Sequence, residues 1–466
     1  MTMLVAALLT VAAAAATPLR AVWDAEAQRG VVPGIEAPPP AEHLNCSLAV
    51  VGGGWGGAYF AWRMGVDAGI VDPKDICVFE ANGRVGGRIY SVRDLPSLSG
   101  LTLDVGGYRF IETDRILTDL VWTALELPTR CYDANCTKSC PGGAEGYHTC
   151  HIIKDAYSNN AGYATPIETM LGQLMDKGTS VRFARRLTSL STSDGVETLV
   201  FEDGATATAS TVVLNMPRNS LEKLGGDWLP PAAEDAVLEH VQMVNITKVY
   251  ASYADAWWAN HLGLVEGFFN KTNLFKGAPL HGRYHDGPIK CVIGEDDSGA
   301  PVYSGDRVRF GNCSGAIEAY YTRTEKYYAQ FRAASPEEPL AVFESGKIVD
   351  ELHASLMDFH AEALRAAGVD PASIAKPELV TVSDWSGDAT VTPACGDFIG
   401  DADTAKAARR PDPARGVFLA NQDFGPQFCW ATGSLIVAER VLMDLGVSKP
   451  AWLNATWYAD RVASMP

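Results

Sequence analysis

Positive charge is scarce in this chain. Of its 466 residues, 38 are Lys or Arg against 56 Asp or Glu, a formal net charge of −18. A surface of that sign repels phosphate, which argues against nucleic acid and against an anionic membrane surface as partners. It suits a cationic substrate, although in a secreted protein it commonly serves solubility alone. Past the amino terminus no run is long and apolar enough to span a bilayer, so no stable membrane span is expected. Internal repeats are missing, which excludes solenoids and propellers. What remains is ordinary globular composition, 47% hydrophobic and 20% charged, enough for a large core and two domains.

The first 21 residues, "MTMLVAALLTVAAAAATPLRA", are apolar and end in small side chains. The run is too short and alanine-rich for a membrane span and reads as a cleavable secretory signal, although no Lys or Arg precedes it. Residues 22–45, with "VVPGIEAPPPAEHL", read as an extended Pro-rich tether. Six N-x-S/T sequons, at Asn45, Asn135, Asn245, Asn270, Asn312 and Asn454, agree with secretion and predict a glycoprotein. So do ten cysteines, four of them crowded into "CYDANCTKSCPGGAEGYHTC" at Cys131, Cys136, Cys140 and Cys150. In an oxidising compartment these tie a surface loop by disulfides, with three pairings open. A zinc site using His148 or His151 is the alternative; secretion favours disulfides, and no metal is expected. Cys291 and Cys313 flank a Gly/Asp-rich segment and make a second plausible bridge.

"SLAVVGGGWGGAYFAWRMG" is an apolar strand, a glycine turn and the start of a helix, and "DICVFEANG" is a second strand ending in an acid. Together they form a βαβ unit. Gly52, Gly54 and Gly57 give G-x-G-x-x-G between strand and helix. The first glycine permits the tight turn, the second lets backbone approach a pyrophosphate, and the third lets helix pack on strand. Glu80 ends the second strand, where an acid binds the hydroxyls of an unphosphorylated ribose. Arg84, Gly86, Gly87 and Arg88 follow at once, and beside a dinucleotide they supply cationic and backbone donors to phosphate. An isolated R-x-G-G-R would be a solvated surface turn; the preceding fingerprint argues otherwise.

"VVGGGWGG…VFEANGRVGGR" resembles the amino-terminal signature of the flavin-containing amine oxidase superfamily. The likeness recurs, in order, in "LDVGGYRFIE", "ASTVVLNMP", "NITKVYASYADAWW" and "GVFLANQDF…CWATGSLIVAERV", from about Leu48 to Leu445. It implies FAD as cofactor, with Gly106 and Gly107 as a third glycine pair and Gln422, Asp423, Thr432 and Gly433 as carboxyl-terminal contacts. Where the family usually reads Ala-Gly-Glu, this chain has Ala420-Asn421-Gln422, so an asparagine side chain could crowd the flavin, and Asp423 replaces the acid after a one-residue slip.

Within the superfamily, "GGYRFIETDRIL" is similar to the L-amino-acid oxidase version, in which an arginine grips the substrate carboxylate. Arg109 is its counterpart, and guanidinium suits the task because it pairs with carboxylate bidentately. The alternative pairs Arg109 with Glu112, Asp114 or a flavin phosphate. Lys248 lies in an apolar, period-2 strand; its family counterpart holds a water near flavin N5 and assists reoxidation, and desolvation would lower its pKa accordingly. The competing reading is a strand-end lysine snorkelling to solvent. A glycan on the neighbouring Asn245 fits only at the strand's mouth. Trp385 and Trp430 match aromatic positions near the family's cavity, though both could be core. Trp430 has the better case, because Thr432 and Gly433 open a helix whose positive end faces the flavin. Cys395 lies near where some monoamine oxidases attach FAD, one residue too far from Trp385, so a disulfide or a buried thiol is expected.

The expected fold is α/β: a discontinuous Rossmann-like FAD-binding domain (46–120, 166–240 and 401–450) with an inserted substrate domain of mixed sheet plus helices (241–400). A disulfide-rich segment at 121–165 and a tail at 451–466 complete the chain. The expected function is a secreted FAD-dependent L-amino-acid oxidase, with Arg109, Lys248 and Trp430 catalytic, dioxygen as acceptor, and 2-oxo acid, ammonia and hydrogen peroxide as products. An amine or polyamine oxidase on the same fold is the alternative, and a non-catalytic secreted protein the second. Preferred side chain and oligomeric state are not legible.

Overall fold

The computed structural model describes residues 19–465, except 36–38, 40, 134–135, 137–139, 142–146, 272–276, 296–300, 306–311, 325, 336, 388–392, 426 and 428. Strand β1 (His43–Val51) runs into the glycine turn and helix α1 (Trp55–Trp62), and β2 (Ile76–Phe79) returns parallel to β1. The second half of β1 and all of β2 are unbroken apolar runs buried on both faces, as interior parallel strands must be. All of α1 is buried too, so it is apolar all round rather than amphipathic.

Helix α2 (Thr165–Asp176) leads to β3 (Ser180–Arg182), parallel to β2. Next come β4 (Leu187–Ser193) and β5 (Val196–Phe201), an antiparallel hairpin closed by Asp194-Gly195. Both turn residues have positive φ, 54° and 78°, the conformation that an Asp-Gly turn favours. Strand β6 (Thr206–Leu214) pairs antiparallel with β5 and parallel with β1.

A second sheet is built around β7 (Ile246–Tyr253), which lies between β8 (Cys313–Arg323) and, beyond helix α3 (Lys347–Ala366), β9 (Leu379–Trp385). β7 is antiparallel to both neighbours, and Leu352, Leu356 and Leu364 of α3 share a core with Val249 and Ala251 of β7. Strand β10 (Val417–Leu419) then rejoins the first sheet, parallel to β6, and α4 (Ala431–Asp444) follows. The parallel sheet thus draws on three separated stretches of chain, and the second sheet on the residues between the last two.

The ends of the chain depart from expectation. The leader's first 18 residues lie outside the described residues, but Leu19 and Ala21 are buried in the core, so a cleavable leader cannot extend to residue 21 without removing core. The tether is a hairpin, Val22–Asp24 against Arg29–Val31, with Trp23 and Val32 buried. Apolar side chains outweigh the prolines that follow them. The tail is likewise anchored, since Leu453, Tyr458, Val462 and Met465 join the largest core cluster.

Disulfides join Cys46–Cys77, Cys131–Cys136, Cys291–Cys313 and Cys395–Cys429, and Cys150 is also disulfide-bonded. Much of the four-cysteine loop, with Asn135, lies outside the described residues. Among the described residues no cluster could hold a metal, and no helix is long and apolar enough to cross a membrane. The sequon residues Asn45, Asn245, Asn270, Asn312 and Asn454 are exposed.

Candidate functional site

The carboxyl ends of β1, β2, β3 and β6 open onto one cavity of about 380 Å³. Both its size and its place at the strand ends of an open α/β sheet suit a ligand site. Gly52 has φ +106°, and a Cβ there would stand 2.6 Å from the Asn215 carbonyl oxygen. Gly54 caps α1 with no side chain of its own to bond the helix's first N–H groups; Asn215 takes that of Gly57, and those of Trp55 and Gly56 face an anion. Gly57 stays off the wall: a Cβ on it would lie 2.0 Å from the Gly52 carbonyl oxygen, so it serves the packing of helix on loop. Glu80 lines the cavity; one oxygen accepts from Gly53 N at 2.8 Å and the other from Asn82 N and Nδ2, both at 2.9 Å. Oε2, which accepts only one, keeps a lone pair for a ribose hydroxyl.

The two arginines behave differently. Arg84 turns away from the cavity, donates to Gly87 O at 3.0 Å and stacks 3.7 Å over the Tyr90 ring. It props the glycine pair from behind rather than offering charge to a phosphate. Gly86, Gly87 and Arg88 do line the wall. Arg88 Nη1 lies 2.7 Å from Asp423 Oδ1, and Nη2 donates to Asn421 Oδ1 at 3.0 Å. Asp423 is therefore a fully buried partner of Arg88, and its second oxygen accepts from Arg218 N at 3.0 Å; it is not part of the wall. Asn421 and Gln422 are in the wall instead. Asn421 has φ −120°, which needs no glycine, and Gln422 Nε2 is spent on Gly396 O at 2.7 Å.

Trp385, Trp430 and the Cys395–Cys429 disulfide also line the cavity. Trp385 Nε1 donates to Val105 O at 2.8 Å, and half-buried Trp430 packs against the cluster of Tyr108, Ile111, Tyr132, Cys150 and Ile152. The first turn of α4 presents Ala431 and Ser434 to the cavity. Thr432 and Gly433, expected there, do not line it; Thr432 Oγ1 bonds Asp114 Oδ2 at 3.0 Å and Gly433 meets Gln427. Residues three apart share a helix face, so the expectation sat one position off.

Gly107 reaches the wall, but Gly106 does not. Lys248 and Arg109 lie behind this pair. Lys248 is 3% exposed; its Nζ donates to Gly106 O at 2.6 Å and sits 3.8 Å from the centre of the Tyr108 ring. Snorkelling is thus excluded, and burial lowers its pKa to about 7, against the opposing charge of Glu318 and Asp104. Arg109 is 8% exposed. Its Nη1 donates to the Tyr108 hydroxyl and, at 2.6 Å, to that of Tyr132, and lies 3.6 Å from Asp286 Oδ2. Burial works against that charge, but the Tyr108 and Asp286 groups beside it prevail and raise its pKa. Neither Glu112 nor Asp114 is its partner.

Several wall residues escaped the sequence reading. Asn215 directly follows β6; its amide bridges Gly57 N (2.8 Å) and Ala420 O (2.5 Å), tying the helix after the glycine loop to the residue after β10. Arg186, and Leu187 and Thr188 that open β4, line the cavity as well. Their signal was topological, since each follows the carboxyl end of a parallel strand.

The cavity joins a glycine turn, a helix end, a ribose-type acid and an aromatic wall. That is what an elongated dinucleotide with a flat ring at one end requires. Residues 145–423 match the family described as flavin containing amine oxidoreductase, and residues 50–121 an NAD(P)-binding Rossmann-like domain. Aplysianin-A of Aplysia kurodai is 41% identical over 70 residues; the match spans 15% of this chain and only 11% of that protein. Among solved structures, wild-type putrescine oxidase bound to putrescine superposes with a TM-score of 0.56 at 15% identity, covering 86% of this chain and 99% of that one. A variant from a redesign of that enzyme's cofactor binding gives the same values. The latter likenesses bear on the fold alone. With the family match spanning more than half of the sequence and the dinucleotide cradle intact, this chain belongs to the flavin containing amine oxidoreductase family and its cofactor is FAD.

Proposed function

We propose that the protein is a secreted oxidase of L-amino acids. The observation that carries this is Arg109, a buried guanidinium two residues beyond the wall glycine Gly107, held by Tyr108 and Tyr132, members of the cluster against which Trp430 packs. A cation kept out of water at that place suits a substrate carboxylate, whose binding would fix Cα toward the cofactor. FAD, when bound, supplies the acceptor for the Cα hydride and passes the electrons to dioxygen. The chain's own part is to hold and screen. Trp385 and Trp430 wall the cavity and exclude water from it. Lys248, with its pKa near 7, can hold or release a proton close to neutral pH. The imino acid released then hydrolyses to 2-oxo acid and ammonia. Disulfide-bonded cysteines and exposed sequon asparagines support the secreted compartment.

A second reading, oxidation of a simple amine or polyamine, is favoured by Asp286, which already gives Arg109 a counter-ion. Anaerobic mixing of the purified holoprotein with L-amino acids, and separately with putrescine and spermine, separates the two. Bleaching of the flavin absorbance by amino acids, lost in Arg109→Ala, is expected. Bleaching by polyamines alone would move the protein to the amine oxidases.

A further inference from the structure

Asp286, whose carboxylate meets Arg109, belongs to no motif of the sequence. It follows the strand Leu280–Arg283 and its side chain is fully buried. Oδ2 accepts the Tyr108 hydroxyl, lies 3.6 Å from Arg109 Nη1 and stands 3.9 Å from Arg283 Nε. Oδ1 accepts no hydrogen bond from a described residue, and neither does Oε2 of the fully buried Glu318 on β8. Burial, then the neighbouring Asp286 charge, drive Glu318 well above the usual carboxyl range. Of the two buried carboxyl groups, Asp286 is the one within ion-pair distance of Arg109. The other charged and titratable groups facing the pair are Tyr132, His285, Lys248, Tyr250 and Tyr321.

A substrate carboxylate arriving at Arg109 thus meets a guanidinium already neutralised, and an anion beside it. A second carboxylate drawn to Arg109 faces the Asp286 anion across the same guanidinium, a like-charge contact that opposes its binding. We infer that Asp286 is a specificity-determining residue: its carboxylate holds Arg109 until a substrate carboxylate displaces it, and so sets how strongly an amino acid is preferred over the amine lacking that group. The inference rests on Arg109 as the carboxylate ligand proposed above. Simple amines, which bring no anion, leave the Asp286–Arg109 pair closed.

The test uses matched pairs that differ only by the carboxylate, L-phenylalanine with 2-phenylethylamine and L-ornithine with putrescine. The ratio of kcat/KM within each pair is measured on the holoenzyme, on Asp286→Asn, on Arg109→Ala and on the double variant. Asp286→Asn should raise the amino-acid-to-amine ratio about tenfold or more, through KM rather than kcat. That gain should vanish when Arg109 is also replaced. An unchanged or lowered ratio in Asp286→Asn, with Arg109→Ala still lowering the wild-type ratio, overturns the role of Asp286 and leaves the Arg109 reading standing. A gain that persists without Arg109 overturns it as well. If Arg109→Ala leaves the wild-type ratio unchanged, the Arg109 reading itself fails. A crystal structure of the wild-type holoenzyme with benzoate gives a measurement that needs no variant to fold. Benzoate on Arg109 with Asp286 swung away is expected, whereas benzoate on Arg109 with Asp286 still in place overturns the exchange.

Discussion

Lys248 is a group that the fold would hold more cheaply if it were uncharged. It sits in β7 at the centre of the second sheet, 3% exposed, with its Nζ hydrogen-bonded to Gly106 O. Burial depresses its pKa to about 7, while an unfolded lysine titrates near ~10.4. Between those values the unfolded chain binds the extra proton, so stability rises with pH across that window, and below it the penalty is fully present. Lys248→Met removes the charge but also the bond to Gly106. The variant should therefore gain on the wild type by a larger margin at pH 6 than at pH 9.5, as read from thermal midpoints. A margin that does not change with pH would mean that the folded and unfolded chains bind the lysine's proton alike, with no depressed pKa. In stopped-flow, the same variant should keep its anaerobic reduction rate and lose its fast reoxidation, by about 100-fold if proton transfer is the lysine's task.

At the scale of the element, the glycine loop separates two requirements that sequence alone runs together. A Cβ on Gly57 would meet backbone at 2.0 Å, whereas on Gly54 its nearest neighbour is the Asn215 amide at 3.4 Å. Gly57→Ala must push α1 off the loop, so it should cost stability by about 2 kcal/mol or more as well as flavin content. Gly54→Ala should keep the thermal midpoint of the apoprotein and lose flavin alone, because its methyl projects where backbone must approach the pyrophosphate. Absorbance per polypeptide and melting curves of both apoproteins check this; equal midpoints for the two would refute the division. The loop, its strands and Glu80 were legible because hydrophobic period and glycine spacing are local. The facing of Thr432 and Gly433 was not, since one residue's error in a helix rotates the side chain by about 100°. Nor could local pattern assign Arg84 to Tyr90 or Asp423 to Arg88, since the latter pair is 335 residues apart.

Across the whole molecule, the two sheets meet at residues 104–107. Ser383 and Trp385 of β9 both donate to Val105 O, at 2.9 and 2.8 Å, and Lys248 of β7 to Gly106 O. The segment that presents Gly107 to the cavity is thus held by the inserted sheet; the amino-terminal hairpin packs on that sheet too, and the carboxyl-terminal residues pack with α4. Composition made those ends look dispensable, because prolines and short polar stretches mask single buried side chains. The last segment shows what such side chains contribute. Leu453, Tyr458, Val462 and Met465 pack into the cluster that also contains Ala438 and Val441 of α4, and Asn454 N bonds Asp119 at 3.2 Å. At about 1.5–3 kcal/mol for each large apolar side chain, removing four of them costs on the order of 6–12 kcal/mol. That is comparable with the whole stability of a typical domain, about 5–15 kcal/mol. A chain ending at Ala451 should accordingly fail to retain flavin and be digested by protease under conditions that spare the full-length protein. Because α4 supplies Ala431 and Ser434 to the cavity wall, flavin loss should precede general unfolding in a urea titration of milder variants such as Val462→Ala. A truncated protein that stays yellow, with a melting point within a few degrees of the intact chain, would return these residues to the status of a tail.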